Sequence, residues 1–339
     1  MPTDLTPPDP NPILELISAF RCSAILFAAC ELKVFDALAE PKSLATLAVE
    51  LKCSSEALER LLNGCAMLGL LAKTGDTFAN TPAAALYLRN DSPNQLLGYL
   101  HYSNDVLWKL WHALPDAVRE GTHRWKQVFG SDGPIFSSIF RTDAEKQRFL
   151  FGMHSYGLIS SPQVVNAVDL SGYSTFCDLG GATGHLAIAA CRRWPNLTGI
   201  AYDLPEVVGL TKAVVDEANA SDRVAVVGGN FFTDELPKAD VYALGRILHD
   251  WTEAKIEALL AKIYAALPTG GAILIAEKVL HDDGNGPDWS VLQSLNMLIV
   301  TEGKERTLGQ YAALLERAGF RDVVCHRTAA PLDAVLAKK

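Results

Sequence analysis

The side chains best suited to chemistry in this 339-residue chain are one histidine and two glutamates. His249 follows Arg246-Ile-Leu and precedes Asp250-Trp251, Glu277 closes an apolar run, and Glu305 lies within Thr301-Glu-Gly-Lys-Glu-Arg-Thr. A neutral imidazole, with an ordinary pKa near 6.5, can take the proton of a hydroxyl that must attack as a nucleophile. Such a base needs an acceptor for its second ring nitrogen, and Glu277 and Glu305 are the two candidates. Each residue also has a plainer reading. His249 would be a capping histidine, Glu277 a solvated strand-end carboxylate, and Glu305 a partner of Arg306 or a cap for the helix from Thr307. A metal site built from His249, Asp250 and a glutamate lacks paired-ligand spacing, so no metal is expected.

A base needs an electrophile, and an upstream stretch indicates which. Ser174-Thr-Phe-Cys-Asp178-Leu-Gly180-Gly181-Ala182-Thr-Gly184-His185 reads as a buried strand, an acid at its end, a glycine-rich turn and the start of a helix. Glycine removes the Cβ from the path of a nucleotide-like ligand. A dinucleotide site wants G-x-G-x-x-G and no anion beside the pyrophosphate. Here Gly180, Ala182 and Gly184 fall at alternate positions after Asp178, which favours a cationic cofactor, S-adenosylmethionine (SAM). Three later strand ends fit the same molecule. Asp203 suits the ribose hydroxyls, with Leu204 beside it, unless it merely caps the helix from Pro205. Gly229-Asn230-Phe231-Phe232 offers an amide for the adenine edge and an aromatic for its face, and Arg246 offers a cation for the carboxylate.

The elements that must place these residues alternate in type. Strands are predicted at Thr175–Leu179, Gly199–Asp203, Arg223–Val227, Val241–Leu244 and Ala272–Glu277, with amphipathic helices between them. The helix over Glu253 to Leu267 puts Ile256, Leu259, Leu260, Ile263 and Leu267 on one stripe, and another runs from Thr307 to Gly319 with Tyr311 inward. Asp322-Val-Val-Cys-His-Arg and Asp333-Ala-Val-Leu-Ala form a closing strand pair. The expectation is an α/β domain over 166–339: a doubly wound, mostly parallel sheet with one antiparallel strand. Residues 13–165 read as helical. Within them Ser43 to Leu51, Ser54 to Gly69 (Ser54 or Ser55 as N-cap) and a hairpin turning at Gly75-Asp76 make a winged-helix-like unit. Residues 1–12, acidic and proline-rich, read as a mobile tail and as neither signal nor transit peptide.

Charge argues against the nucleic-acid reading of that unit. The chain carries net charge −9, and residues 1–100 hold 7 Lys and Arg against 11 Asp and Glu. Its second helix has only Arg60 to offer a phosphate. A packing and dimerisation role is expected instead. No uninterrupted apolar run reaches the ~18 residues of a membrane span. Seven unpaired-looking cysteines suit free thiols and a cytoplasmic setting.

Asp178-Leu-Gly-Gly-Ala-Thr-Gly, Asp203-Leu-Pro-Glu-Val-Val, Leu248-His-Asp-Trp and Gly303-Lys-Glu-Arg-Thr occur in this order. With Phe27-Ala-Ala-Cys-Glu-Leu, Asp116-Ala-Val-Arg-Glu-Gly and Ser294-Leu-Asn-Met-Leu, the chain from about Ile17 onward resembles the plant-type small-molecule O-methyltransferases, and among them the acetylserotonin (hydroxyindole) branch. The resemblance implies a class I SAM-methyltransferase domain behind an all-α, winged-helix-like dimerisation domain, in a homodimer whose partner closes each acceptor pocket. It implies His249 as general base between Glu277 and Glu305, no metal, and no nucleic-acid or membrane partner. Cofactor positions fall on Asp178, Gly180, Gly181, Asp203, Leu204, Gly229, Asn230, Phe231 and Arg246; acceptor positions fall on Asp250, Asn296 and Met297. The implied reaction is methylation of a phenol or hydroxyindole. N- or C-methylation, or SAM binding without turnover, are the alternatives. Ala182, Asn230, Phe140 and Gly157 depart from the family pattern, at positions expected to touch SAM affinity or pocket shape.

Overall fold

The computed structural model describes residues 8–339, and the chain divides into two compact units between His101 and Tyr102. Positions 165 and 166 lie in the last turn of a long helix, Asp143–Asn166, within the second unit. Residues 1–7 of the expected tail lie outside the described residues, and the first helix begins at Asn11.

In the first unit, α1 (Asn11–Glu31) precedes β1 (Lys42–Ser43), α2 (Leu44–Glu50), α3 (Ser55–Met67), β2 (Leu71–Thr74) and β3 (Thr77–Asn80). Ser43 caps α2 through the Thr46 amide; Ser54 sits at the N-cap of α3 without a side-chain bond. The hairpin turns at Gly75-Asp76, as its sequence required, and β1 adds a third strand in the order β1-β3-β2. That two-residue strand exists only through its pairing with Thr77 and Phe78, so local sequence carries no sign of it. By length and composition α1 is apolar enough to cross a membrane, with a mean hydropathy of 1.8. Glu15 and Arg21 interrupt its apolar stretch, so no uninterrupted run marks it in the sequence, while the helix average tolerates both. Ile13, Leu14, Leu16, Ile17 and Phe20 are each more than half exposed on the single chain.

The second unit is built on a seven-stranded sheet. After α4 (Asp143–Asn166) come β4 (Thr175–Leu179), α5 (His185–Arg193), β5 (Thr198–Asp203), α6 (Pro205–Glu217), β6 (Val224–Gly228), β7 (Val241–Gly245), α7 (Glu253–Ala266), β8 (Ala272–Glu277), α8 (Asp288–Val300), α9 (Leu308–Arg317), β9 (Arg321–His326) and β10 (Asp333–Lys338). The strand order is β6-β5-β4-β7-β8-β10-β9, and β10 alone runs antiparallel to its neighbours. Alternate side chains feed two cores. Cys177, Leu179, Tyr242, Leu244, Ile273 and Ile275 pack with the stripe of α7 and with Tyr311, Leu314 and Leu315 of α9. Phe176, Ala201, Val241, Ala243, Leu274 and Ala276 pack with Leu186, Ala187 and Ala190 of α5 and Val164 and Val165 of α4. Strand order reverses between β4 and β7, so their carboxyl ends open a crevice at which an α/β sheet binds ligands. The glycine-rich turn and Arg246 stand at those two ends.

Candidate active site

The turn after β4 is fixed by main-chain bonds to its neighbour strand. The Gly180 and Gly181 amides donate to the Tyr202 carbonyl at 2.8 and 3.1 Å, so these amides are satisfied and the glycines serve as a surface for close approach. A Cβ at Gly180 (φ +73°) would lie 2.4 Å from Ile247 Cδ1 and 3.5 Å from the Phe231 ring. That contact brings the ends of β4, β6 and β7 together. Asp203 accepts the Leu204 amide on Oδ1 and the Ala182 amide on Oδ2, both at 2.7 Å, and so ties the turn to β5 rather than capping α6. Ala182 takes a left-handed φ of +48°, which is how the turn accommodates a residue where glycine would be free of strain.

Two acids lie together beneath this turn. Asp178 is 2% exposed and its Oδ2 has no partner. Burial, then the Asp203 charge, pushes its carboxyl up to about 7. Asp203 is pushed up to about 6, again first by burial, against the two amides it accepts. Asn230 Oδ1 accepts the Phe232 amide at 2.9 Å, and the Phe231 and Phe232 rings meet edge-on with centroids 4.7 Å apart. Gly229 is required by Tyr202, whose hydroxyl would lie 2.2 Å from a Cβ there. Arg246 holds a left-handed φ of +60° and lays its guanidinium over Tyr156 at 5.0 Å. An orphaned buried carboxylate, a Cβ-free cradle and a cation at the switch point fit the ammonium, nucleoside and carboxylate of SAM.

His249 sits on a single 3-10 turn, Leu248–Asp250, and is 4% exposed. Its Nδ1 lies 2.6 Å from Glu305 Oε1, and its Nε2 lies 3.6 Å from Asp250 Oδ1. Glu277 does not touch the ring. Its Oε1 accepts the Ile247 and His249 amides at 3.2 and 3.1 Å, and its Oε2 accepts the Tyr311 hydroxyl. Glu277 therefore holds the main chain under the histidine, while Glu305 holds the imidazole. Three further residues clamp this turn, and the sequence reading gave none of them this role. Arg306, 1% exposed, donates to the Leu248 carbonyl at 3.2 Å and to the Trp251 carbonyl at 3.5 Å. A Cβ at Gly303 would lie 2.2 Å from the His249 carbonyl oxygen. Tyr311 read as core, and it is, but its hydroxyl end reaches Glu277.

The electrostatics follow from burying three acids beside one base. Burial alone would lower the His249 pKa, but Glu305, Asp250 and Glu277 together outweigh it and hold the imidazole up at about 9. Burial pushes Asp250 up to about 7 and raises Glu277 as well. Ligand atoms of His249, Glu277 and Glu305 lie within 4.8 Å of one another, close enough for a metal ion. Glu277 is engaged with two amides and a phenol, and Glu305 Oε1 with the ring, while Glu305 Oε2 is buried without a partner. Asn296 Oδ1 accepts the Trp111 indole N–H at 3.1 Å, and Met297, 4% exposed, lies beside it on α8. Aromatic rings cluster nearby, with the Phe136 and Trp251 centroids 5.7 Å apart and those of Phe140 and Phe149 5.9 Å apart.

Two family models match this chain: an O-methyltransferase domain over residues 111–321 and an O-methyltransferase dimerisation domain over 14–90. The chain belongs to the O-methyltransferase family. Acetylserotonin O-methyltransferase of Bos taurus is 42% identical over 333 residues, 96% of each chain. The structure of human N-acetylserotonin methyltransferase in complex with SAM superposes with a TM-score of 0.93 at 36% identity, over 99% of both chains. PigF with S-adenosylhomocysteine (SAH) gives 0.90 at 27%, covering 98% of this chain and 100% of its own. The chain is a SAM-dependent O-methyltransferase. Its first unit carries the dimerisation domain, and α1 lies almost wholly within the matched segment.

Proposed function

We propose that the chain methylates the hydroxyl of a small aromatic acceptor, a phenol or a hydroxyindole of the N-acetylserotonin type, with His249 as general base. The observation that carries this is the 2.6 Å contact between His249 Nδ1 and Glu305 Oε1. A proton held in that contact leaves Nε2 as the lone-pair nitrogen, and Glu305 stabilises the imidazolium once Nε2 has taken a proton. Bound SAM supplies a methyl group on a cationic sulfur. The chain's part is to align the acceptor oxygen with that methyl and to remove its proton. An imidazole at about 9 is close to a phenol of pKa ~10, so proton transfer between them is nearly balanced.

At the cofactor end, Asp178 takes the ammonium, Asp203 the ribose, Asn230 and Phe231 the adenine, and Arg246 the carboxylate, with Gly180, Gly181, Leu204 and Gly229 forming the floor. Asp250, Asn296 and Met297 contact the acceptor. Trp111 occupies the Asn296 oxygen and leaves the amide nitrogen to donate. The Phe136–Trp251 pair, its rings tilted 45° to each other, supplies aromatic surface for the acceptor ring next to the base. The exposed apolar face of α1 packs against a second copy of the chain, giving a homodimer in the cytoplasm rather than a membrane anchor.

The test is to incubate the protein with SAM and a panel of hydroxyindoles, simple phenols and arylamines, and to follow SAH and methylated product by mass spectrometry. A hydroxyindole or phenol gives the O-methyl product, and His249→Ala loses on the order of 10²–10⁴ in rate. Normal SAM binding with no product from any aromatic hydroxyl overturns the acceptor assignment. A fully active His249→Ala overturns the base.

A further inference from the structure

One imidazole beside the cofactor turn has no part in the scheme above. His185 opens α5 directly after Gly184, and its ring packs back onto α4. Its Nδ1 lies 2.8 Å from Ser161 Oγ. Gly157 is what admits it: a Cβ there would lie 2.3–2.4 Å from three ring atoms. His154, one turn earlier on α4, places its ring 6.5 Å from that of His185 and bonds Thr183 of the turn at 2.8 Å. Arg246 abuts the same stretch of α4, since its guanidinium covers Tyr156, the neighbour of Gly157. Burial, then His154 and Arg246, keep the His185 imidazole neutral, with its pKa down at about 3.

A neutral imidazole donates through only one nitrogen, and Ser161 decides which. Ser155 and Ser160 turn their hydroxyls to the carbonyls four residues back, Phe151 and Tyr156. Ser161 instead bonds His185. Among the described residues Ser161 makes no such bond to a carbonyl, which leaves its hydroxyl proton to be given to Nδ1; that tautomer puts the ring proton on Nε2, for which no protein hydrogen bond is found among the described residues. The strand ends that flank the turn have a definite polarity. Asp178 presents an unpartnered, buried carboxylate oxygen, and Arg246 a cation, at adjacent strand ends. An acid on one side and donors on the other match a free amino-acid end, ammonium and carboxylate together.

We infer that His185 is a further cofactor-binding residue, its Nε2–H donating with Arg246 to the carboxylate of the amino-acid part of SAM. This rests on the reading of the Asp178–Gly184 turn as the SAM cradle. A donor to a charged group contributes enough to change affinity roughly 10–100-fold. Calorimetry with two probes reads it: SAH, and 5′-methylthioadenosine, which keeps the nucleoside and thioether but lacks the amino-acid end. His185→Ala weakens SAH about tenfold or more and leaves methylthioadenosine within about twofold of wild type. Gly157→Ala, which pushes the ring away, weakens SAH in the same selective manner and adds no further loss in the His185→Ala background. Unchanged SAH binding in His185→Ala, or a parallel loss of both probes, overturns the assignment, the second outcome marking a role in shaping the turn. If Asp178→Asn and Arg246→Ala also leave SAH binding intact, the cradle reading itself fails and takes the assignment with it.

Discussion

Replacing Glu305 by glutamine keeps the side-chain shape and removes one charge from the group that holds His249 at about 9. Two forces oppose each other there: burial lowers this pKa, and three carboxylates raise it, with Glu305 the foremost of them and in contact at 2.6 Å. Without Glu305 the imidazole returns toward its ordinary 6.5 or below, since Asp250 stands farther off at 3.6 Å. A fall from about 9 to about 6.5 is on the order of 3 kcal/mol of lost preference for the charged ring. At pH 7 the neutral, basic fraction rises from roughly 1% to roughly three-quarters. The imidazolium formed during transfer meanwhile loses its partner, and the ring loses its orienting bond, which lowers the high-pH plateau by about 10²–10³. The two effects oppose each other near neutrality and not in alkali. Measured as kcat/KM between pH 6 and 10 at saturating SAM, wild type and Glu305→Gln therefore lie within about tenfold at pH 7 and diverge by about a hundredfold or more at pH 10. The charge of bound cofactor shifts both profiles downward alike, so the separation between the two limbs is the quantity to read. A Glu305→Gln profile parallel to wild type, with the same apparent pKa and one constant loss, refutes the reasoning.

Three other substitutions separate the parts of the site. Asp178 binds its proton more tightly folded (about 7) than unfolded (3.8), so the cofactor-free protein loses stability as pH rises from about 4 to about 7. Asp178→Asn removes that loss, raises Tm at pH 7.5 but not at pH 4.5, and weakens SAH; scanning fluorimetry and calorimetry check both. Gly303→Ala forces the His249 turn outward, because its Cβ would lie 2.2 Å from the His249 carbonyl oxygen. Its kcat falls at least about tenfold with SAH affinity unchanged, as steady-state and binding assays read it. Tyr311→Phe leaves Glu277 Oε2 buried without its donor, which costs about 1–3 kcal/mol and lowers Tm by about 2–10 °C, again without loss of SAH affinity.

The parallel strands were legible because glycine and acid punctuate apolar runs of the right length, and the predicted limits of β4 and β8 coincide with those observed. What was not legible is where side chains far apart in sequence meet. Glu305 had three readings in the sequence: partner of Arg306, cap of the next helix, or acceptor for His249. The structure separates them. Thr307 caps α9 through a box with Gln310, Arg306 turns to main-chain carbonyls, and Glu305 is left for the imidazole. Glu277 and Glu305 read as equivalent flanking acids, yet only one touches the ring. Tyr311 was placed in the core from its helical phase, which says nothing of where a phenol hydroxyl ends. His185 stood in the open, next to the most telling motif of the chain, but its place depends on a glycine 28 positions earlier that no periodicity marks.

A single electrostatic choice connects the two ends of the site. Asp178 and Asp203 at the cofactor end, and Asp250, Glu277 and Glu305 at the base, are acids in surroundings that penalise charge; four of them have raised pKa values for that reason. A fold selected only for stability would neutralise or expose them, because burying an unpaired carboxylate costs several kcal/mol. Each end has one orphaned carboxylate oxygen, Asp178 Oδ2 and Glu305 Oε2, but Asp178 lacks a cationic partner among the described residues, whereas Glu305 has the imidazole on its Oε1. The uncompensated charge therefore sits where a cationic cofactor would enter, and the compensated charge where a proton is to be taken up. Cofactor binding relieves the first, and proton transfer to His249 strengthens the second. The instability stored at Asp178 is in this sense the counterpart of SAM affinity, which is why one substitution there moves Tm and SAH binding in opposite directions.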